Sequence, residues 1–412
     1  MSRARADWTK PELRTLLTVA AAHLVSHLHI LVLPPLFPLL RASMDVSFVE
    51  LGVALTVFNV VSALTQAPVG FLTDRLGPRK VLAAGLALGG ASYVALGLAC
   101  TYPTLLVAAA ALGLANSVYH PSDYAILGGA IAEERVGRAF SIHTFAGYLG
   151  GAIAPPLVLG VSALGGLPAA LMVAGGIGLA TAVPLLASAL KEQAQGEQAL
   201  APLAPRPAEA AKVPLLAVLT PAVLGMTFFF TMLNLATGGV QNFSVTALNV
   251  AFGTSLGVAN TALTAWLALS AAGVLLGGII ADRTRRHGEV AALGFGLCAV
   301  LVLLVGLTPL PGVLLVAVLG LAGLLSGMIM PSRDMLVRRA SPPGALGRTF
   351  GIVTTGFNIG GATGPLIYAA LLDQGQPRAV FMVAVGFMAV TIAVALVTEY
   401  WPKRRAGMAA AE

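Results

Sequence analysis

Apolar runs long enough to cross a bilayer dominate this chain, broken by short patches of charge or by glycine and proline. They lie at about 15–40, 47–72, 80–100, 105–130, 138–162 and 168–190, and again at 214–246, 256–281, 290–309, 313–340, 348–372 and 378–400. A spanning helix needs about 20 apolar residues, so each run predicts one transmembrane helix. Residues 191–213 differ, being rich in Ala, Pro, Gln and Glu and including Ala204-Pro205-Arg206-Pro207-Ala208-Glu209. Such a composition cannot bury a core and reads as a cytoplasmic linker. The expected fold is an all-α membrane protein of twelve transmembrane helices. It divides into an N-terminal six-helix bundle (1–190), the linker (191–213) and a C-terminal six-helix bundle (214–412).

The two halves repeat one another. Gly137-Arg138-Ala139-Phe140-Ser141-Ile142 matches Gly347-Arg348-Thr349-Phe350-Gly351-Ile352, and Gly150-Gly151-Ala152-Ile153-Ala154-Pro155 matches Gly360-Gly361-Ala362-Thr363-Gly364-Pro365, both at a spacing of 210 residues. Pro121-Ser122 falls on Pro331-Ser332 in the same register. The charged stretch between spans two and three, Gly70-Phe71-Leu72-Thr73-Asp74-Arg75-Leu76-Gly77-Pro78-Arg79-Lys80, has its echo in Gly278-Ile279-Ile280-Ala281-Asp282-Arg283. A register shared by several helices marks an internal duplication, and two like halves about a central cleft is a transporter arrangement.

Composition narrows the class. Of 412 residues 57% are hydrophobic and 10% charged, against about 25% charged in an ordinary soluble domain. Forty-seven glycines and 25 prolines suit membrane helices. The formal charge of +7 would suggest nucleic acid in a soluble protein, but only Arg41 and Arg378 fall in loops on the outer side. The remaining bases lie at inner loops, inner helix ends or the termini. This is the positive-inside bias, and it predicts both termini in the cytoplasm and no nucleic-acid partner. Met1 to Arg14 is polar and carries no cleavable signal pattern. Cys100 and Cys298 stand apart without metal-ligand spacing and read as packing residues.

Twelve runs, the duplication, the linker and the Gly-x-x-x-Asp-Arg-x-Gly-x-Arg-Lys hairpin resemble the major facilitator superfamily over the whole chain. His120-Pro121 in span four and the glycine-rich fifth span are similar to bacterial exporters of the fosmidomycin-resistance type. The resemblance implies alternating access, with the hairpin residues Gly70, Asp74, Arg75, Gly77 and Arg79 and their counterparts Asp282 and Arg283 acting as a cytoplasmic latch. Asp74 would then face the N-terminus of span eleven near Arg348 and Thr349, where the helix dipole favours an anion. Gly147, Gly151, Pro155, Gly360, Gly364 and Pro365 are partly similar to the antiporter signature of drug exporters, although Ala154 stands where that signature has glycine. On physical grounds alone these residues serve close helix packing. The arginine that drug exporters often carry in span four is absent.

Ionisable groups at membrane depth are costly and mark candidate sites. They are His23, His27 and His29 in span one, Asn116, His120 and Asp123 in span four (Asn116 as a polar neighbour), His143 in span five, and Arg333 with Asp334 in span ten. His120 and Asp123, three apart, share a helix face and are the first choice for proton coupling or substrate binding. Asp123 corresponds to Arg333 in the 210-residue register, so the two are expected to approach across the cleft or to bind a charged substrate. His23 and His27 face together, with His27 nearer mid-span. They read as cavity-lining residues rather than metal ligands, since no carboxylate or thiol lies nearby in sequence. Asn234, Gln241, Asn242, Asn260, Phe228, Phe229, Phe230 and Trp266 offer contacts for an amphipathic solute.

No nucleotide-binding loop, paired-cysteine motif or nucleophile elbow occurs, so the chain reads as a non-enzyme without cofactor or bound metal. The expected function is proton-coupled export of a small organic compound across the bacterial inner membrane, by a monomer embedded in the lipid bilayer. The alternatives are proton-coupled uptake of an organic anion through Arg333 and the histidines, or a non-transporting scaffold or sensor.

Overall fold

A computed structural model of the chain describes residues 8–194, 218–342 and 346–409. The linker at 191–213 therefore falls almost wholly outside the described residues. Its first residues continue helix α6, which runs through Ala194.

In the N-terminal half α1 spans Lys10–Ile30, α2 Phe37–Met44, α3 Phe48–Leu76, α4 Pro78–Leu98, α5 Tyr102–Ala130 and α6 Glu133–Ala194. In the C-terminal half α7 spans Pro221–Phe252, α8 Leu256–Arg283, α9 His287–Leu307, α10 Gly312–Met328, α11 Met330–Ala340, α12 Leu346–Asp373 and α13 Ala379–Ala409. Ten stretches of the described chain are long and apolar enough to cross a membrane, with Lys10–Met44 and Gly312–Ala340 each counted once. The stretch within α6 is bent into two spans at Gly166, whose φ of 79° is open to glycine but strained for other residues. With that division and α12, the protein has twelve transmembrane helices in two six-helix bundles.

Local chemistry sets the boundaries. Thr9 and Ser47 cap α1 and α3 through capping boxes with Glu12 and Glu50, satisfying amide groups that helix starts leave open. Pro34, Pro35 and Pro38 turn the C-terminal part of the first span aside, as a 3-10 turn at Pro34–Leu36 followed by α2. Gly77, at φ 90°, ends α3, and Pro78 opens α4. This tight return is what the Gly-Pro pair in the charged hairpin requires. Pro121 is absorbed inside α5, whereas its counterpart Pro331 follows the break between α10 and α11.

Packing repeats the duplication. α1 packs on α6, and its counterpart α7 packs on α12. At those crossings Gly150 lies against the backbone of Leu24, while Gly360 lies against Thr231 and Asn234. Any side chain there would part the helices. Between the bundles the principal contacts are α3 with α12 and α6 with α8, and the Pro34–Leu36 turn also touches α7.

The bundles meet at one end and stand apart at the other. Asp373 accepts hydrogen bonds from the N–H groups of Phe48 (2.9 Å) and Val49 (2.7 Å), and Thr56 Oγ1 donates to the Ala362 carbonyl at 2.8 Å. Further along the same helix pair, Gly361 lies against Asn59. At the far end of the bundles, a Cβ added at Gly70, Gly137, Gly278 or Gly351 would meet no atom of the described residues within 4 Å. This end, which carries the charged hairpins, is called the open end below. The closed end carries Arg41 over the Phe48 ring at 4.5 Å and Arg378 over Phe252 at 4.8 Å.

Candidate functional site

A cavity of about 430 Å³ lies between the bundles. Its floor toward the closed end is aromatic. Phe37 of α2 meets Phe243 of α7 edge to face at 5.7 Å, and Phe243 lies 5.7 Å from Tyr368 of α12. All three are buried, and the Tyr368 hydroxyl donates to the Leu235 carbonyl at 2.7 Å. This apolar plug spans both halves and separates the cavity from the closed end.

The N-terminal wall of the cavity is a histidine cluster. His23 and His27 of α1, His120 of α5 and His143 of α6 all line it. The i, i+4 spacing on α1 brings the His23 and His27 rings to 4.7 Å, and His23 stacks on His143 at 3.7 Å. Behind them sits Asp123, wholly buried. His143 Nε2 is 2.9 Å from Asp123 Oδ2, and His23 Nδ1 lies 3.3 Å from the same oxygen. The second approach is within ion-pair range but lacks hydrogen-bond alignment, so His23 Nδ1, Asp123 Oδ1 and His143 Nδ1 are buried polar atoms without hydrogen-bond partners.

A buried carboxylate is costly unless a positive charge or several donors offset it. Here two imidazoles serve, and each can be neutral or charged. No lysine, arginine, aspartate or glutamate lines the cavity among the described residues. The cluster can therefore hold or release a proton without a fixed cation beside it. Its three donors, His23 Nδ1, Asp123 Oδ2 and His143 Nε2, also lie within 4.8 Å of one another, a set of the kind that can ligate a divalent transition metal.

His29 shows what a structural histidine looks like in the same helix. Its Nε2 is 3.0 Å from the Ala174 carbonyl, and the Tyr93 hydroxyl donates to the His29 carbonyl at 2.5 Å. It turns away from the cavity and ties α1 to α4 and α6.

Several expectations are corrected by this geometry. Asp123 pairs with His143 and His23 rather than with His120. The shared helix face brings His120 close, but its ring turns into the cavity over Tyr124, stacked at 6.0 Å. Arg333 does not approach Asp123. It is bound by its neighbour Asp334 (Nε to Oδ1, 2.9 Å) and lies over Phe230 at 4.7 Å and Phe357 at 5.4 Å. Neither Arg333 nor Asp334 lines the cavity. Phe229, Phe230 and Trp266 belong to the buried core, while Asn234, Gln241 and Asn242 do reach the cavity. Asp74 is exposed at the open end, and the Arg348 side chain expected beside it lies outside the described residues.

Residues unmarked by the sequence reading also line the cavity, among them Asn59, Tyr124, Tyr148 and Tyr368. Of the glycines and prolines read as packing residues, Gly147, Gly151, Gly360, Gly364 and Pro365 border the cavity as well.

Comparison with known proteins agrees with this architecture. A sequence profile of the Major Facilitator Superfamily matches residues 19–247 and 227–410, once for each half. The chain belongs to the Major Facilitator Superfamily. It is 28% identical to the uncharacterized MFS-type transporter YfnC of Bacillus subtilis over 91% of this chain and 90% of that one. It is also 26% identical to the fosmidomycin resistance protein of Escherichia coli, over 89% and 88%. A third relative, the probable sulfoacetate transporter SauU of Cupriavidus necator, is 32% identical over only 34% of this chain and 33% of that protein. Among solved structures, a bacterial homolog of the human lysosomal transporter Spinster, in an inward-facing and occupied conformation, superposes with a TM-score of 0.76. That match has 14% identity and covers 95% of this chain and 97% of that one. The protein is a multi-pass secondary transporter of small molecules and not an enzyme.

Proposed function

We propose that this transporter is a proton-coupled exporter of a small organic compound in the bacterial plasma membrane. It works as a monomer, with both termini and the linker in the cytoplasm. The observation that carries the coupling is Asp123. It is wholly buried, bound by His143 at 2.9 Å, and one side chain away from the cavity through His23 and His143.

In the open-end state described here, cargo enters from the hairpin side and rests against His27, His120, Asn234, Gln241 and Asn242. Asp123 and its imidazoles hold the proton to be exchanged. Rocking of the bundles about the cavity opens the Phe37–Phe243–Tyr368 plug and closes the hairpins, where Asp74, Arg75, Asp282 and Arg283 then latch the inner face. The cavity's amides and imidazoles favour a cargo rich in hydrogen-bonding groups. No fixed positive charge stands in its walls among the described residues, and Arg333 is engaged by Asp334, so uptake of an organic anion through Arg333 is the weaker reading. Similarity to a fosmidomycin resistance protein along most of the chain supports export.

The test is comparative. Untargeted metabolite profiles of deletion and overexpressing cells identify the cargo, which the deletion strain accumulates. Everted vesicles carrying the protein then take up that compound when an inward-acid gradient is imposed, and a protonophore abolishes uptake. Uptake indifferent to the protonophore, or a cargo lost rather than accumulated by the deletion strain, would refute the coupling or the direction respectively.

A further inference from the structure

Along the chain no carboxylate lies near His23 and His27, but the fold supplies one. Asp123 of α5 is brought between His23 of α1 and His143 of α6, and ligand atoms of the three residues all lie within 4.8 Å of one another. Imidazole nitrogen and carboxylate oxygen bind Zn2+ at about 2.0–2.2 Å, so ligands that share one ion stand about 3–4 Å apart. His143 Nε2 at 2.9 Å and His23 Nδ1 at 3.3 Å from Asp123 Oδ2 are close to that spacing.

The hydrogen bonds of the cluster leave it unsatisfied. His23 approaches the oxygen that His143 already engages, so His23 Nδ1 and Asp123 Oδ1 have no hydrogen-bond partner among the described residues, although both side chains are buried. Buried polar atoms are rarely left bare, and an ion between His23 and the carboxylate would engage both residues at once. His23 and His143 line the central cavity, with His27 and His120 beside them, so an ion has a route to the site past imidazoles. No lysine or arginine lines that cavity among the described residues to repel it. The His27 ring, 4.7 Å from that of His23, stands near enough to complete the coordination, as water from the cavity could. Two nitrogens with one oxygen suit zinc, cobalt or copper rather than magnesium or calcium. All three residues belong to the N-terminal bundle, so rocking of the halves does not take the set apart.

We propose that His23, Asp123 and His143 form a binding site for a divalent transition-metal ion, and that the bound ion blocks transport by occupying the Asp123 carboxylate. Ligation follows from the donor set alone. The block rests on the reading of Asp123 as the coupling group.

The experiment uses the full chain in neutral detergent, with any affinity tag removed and metals stripped by chelator. Zn2+ is titrated in competition with a coloured zinc indicator. The parent is expected to bind about one Zn2+ at this site, and about a hundredfold excess of Mg2+ should not displace it. His23→Gln and Asp123→Asn should each weaken Zn2+ at least about tenfold, whereas His287→Gln, in the C-terminal bundle, should leave it unchanged. If Asp123→Asn does not fold, His23→Gln decides alone, since His23 Nδ1 gives up no hydrogen bond. Loaded with Cu2+, the parent should show paramagnetic resonance couplings to imidazole nitrogen that His23→Gln diminishes. In proteoliposomes, Zn2+ at about ten times its Kd leaves about a tenth of the sites free, so gradient-driven flux of the cargo found by metabolite profiling should fall about tenfold. Parent binding no tighter than that of His23→Gln, or displacement by an equal amount of Mg2+, would overturn the site. Zn2+ binding with undiminished flux would overturn the block. A parent that binds Zn2+ but whose zinc-free flux ignores the pH gradient keeps the site and loses the coupling, and one driven by the gradient without binding Zn2+ does the reverse.

Discussion

Asp373, the last residue of α12, caps the first turn of α3 across the bundle interface, accepting the Phe48 N–H at 2.9 Å and the Val49 N–H at 2.7 Å. The carboxylate meets the positive end of the α3 dipole, so charge and hydrogen bonding act together. This contact closes the end opposite the charged hairpins, and it must break for the cavity to open at that end. Because the site is exposed, its contribution is discounted to about 1 kcal/mol. Asp373→Ala should speed hydrogen exchange at the Phe48 and Val49 amides about fivefold and favour the state open at that end. Unchanged exchange there would mean that the aromatic plug alone holds the end shut.

Asp123 makes a sharper case. Asp123→Asn keeps the shape and can still accept from His143, but it cannot carry the charge that the proposed proton exchange requires. Transport driven by a pH gradient in proteoliposomes is expected to fall by at least about a hundredfold, while cargo exchange at equal pH on both sides continues. Gradient-driven flux at the parent rate would remove Asp123 as the coupling group.

Much of the fold was legible in the sequence because it rests on local signals. Gly77-Pro78 needs only its own backbone geometry to announce a return, and Gly150 and Gly360 announce their helix crossings through a shared register. The site was less legible because its pairings join distant elements. Asp123 and His120 share a helix face, which made them look like partners, but the carboxylate is bound by His143 from α6 and approached by His23 from α1. His143 is an ionisable group of its span, yet nothing local says which way it turns. Arg333 and Asp123 hold matching positions in the repeat, but adjacency decided the outcome: Asp334 is one residue away and takes the guanidinium first. The Asp373 contact joins positions 325 residues apart in sequence to Phe48, beyond the reach of any periodicity.

His120 and His143, the histidines on either side of Asp123 along the chain, should behave differently. Removing His143 leaves a fully buried carboxylate without its hydrogen-bond partner, a change that costs about 3–5 kcal/mol when a buried pair is broken. His143→Ala is therefore expected to lower the thermal midpoint markedly, and adding Asp123→Asn should restore part of the loss. His120 faces the cavity, so His120→Ala should change stability by less than about 1 kcal/mol while impairing transport. Thermal unfolding of the three variants beside a flux assay distinguishes the roles; equal destabilisation by both histidine variants would contradict them.

Gly147 links helix packing to the site more directly than any of the titratable groups. A Cβ added there would lie 2.7 Å from both Cδ2 and Nε2 of His23 and 3.0 Å from Cδ2 of His27. Both rings would have to move, and His23 cannot move without disturbing its stack on His143 and its approach to Asp123. Alanine is otherwise the better helix residue by about 1 kcal/mol, so local propensity favours the substitution and only the histidine cluster opposes it. Gly176 in the same helix provides the control, since a Cβ there would meet nothing within 4 Å. Gly176→Ala is expected to raise the thermal midpoint slightly and leave transport unchanged. Gly147→Ala should reduce gradient-driven transport about tenfold or more, with little gain in stability. If the two alanine variants transport alike, the His23 and His27 positions are not critical to coupling.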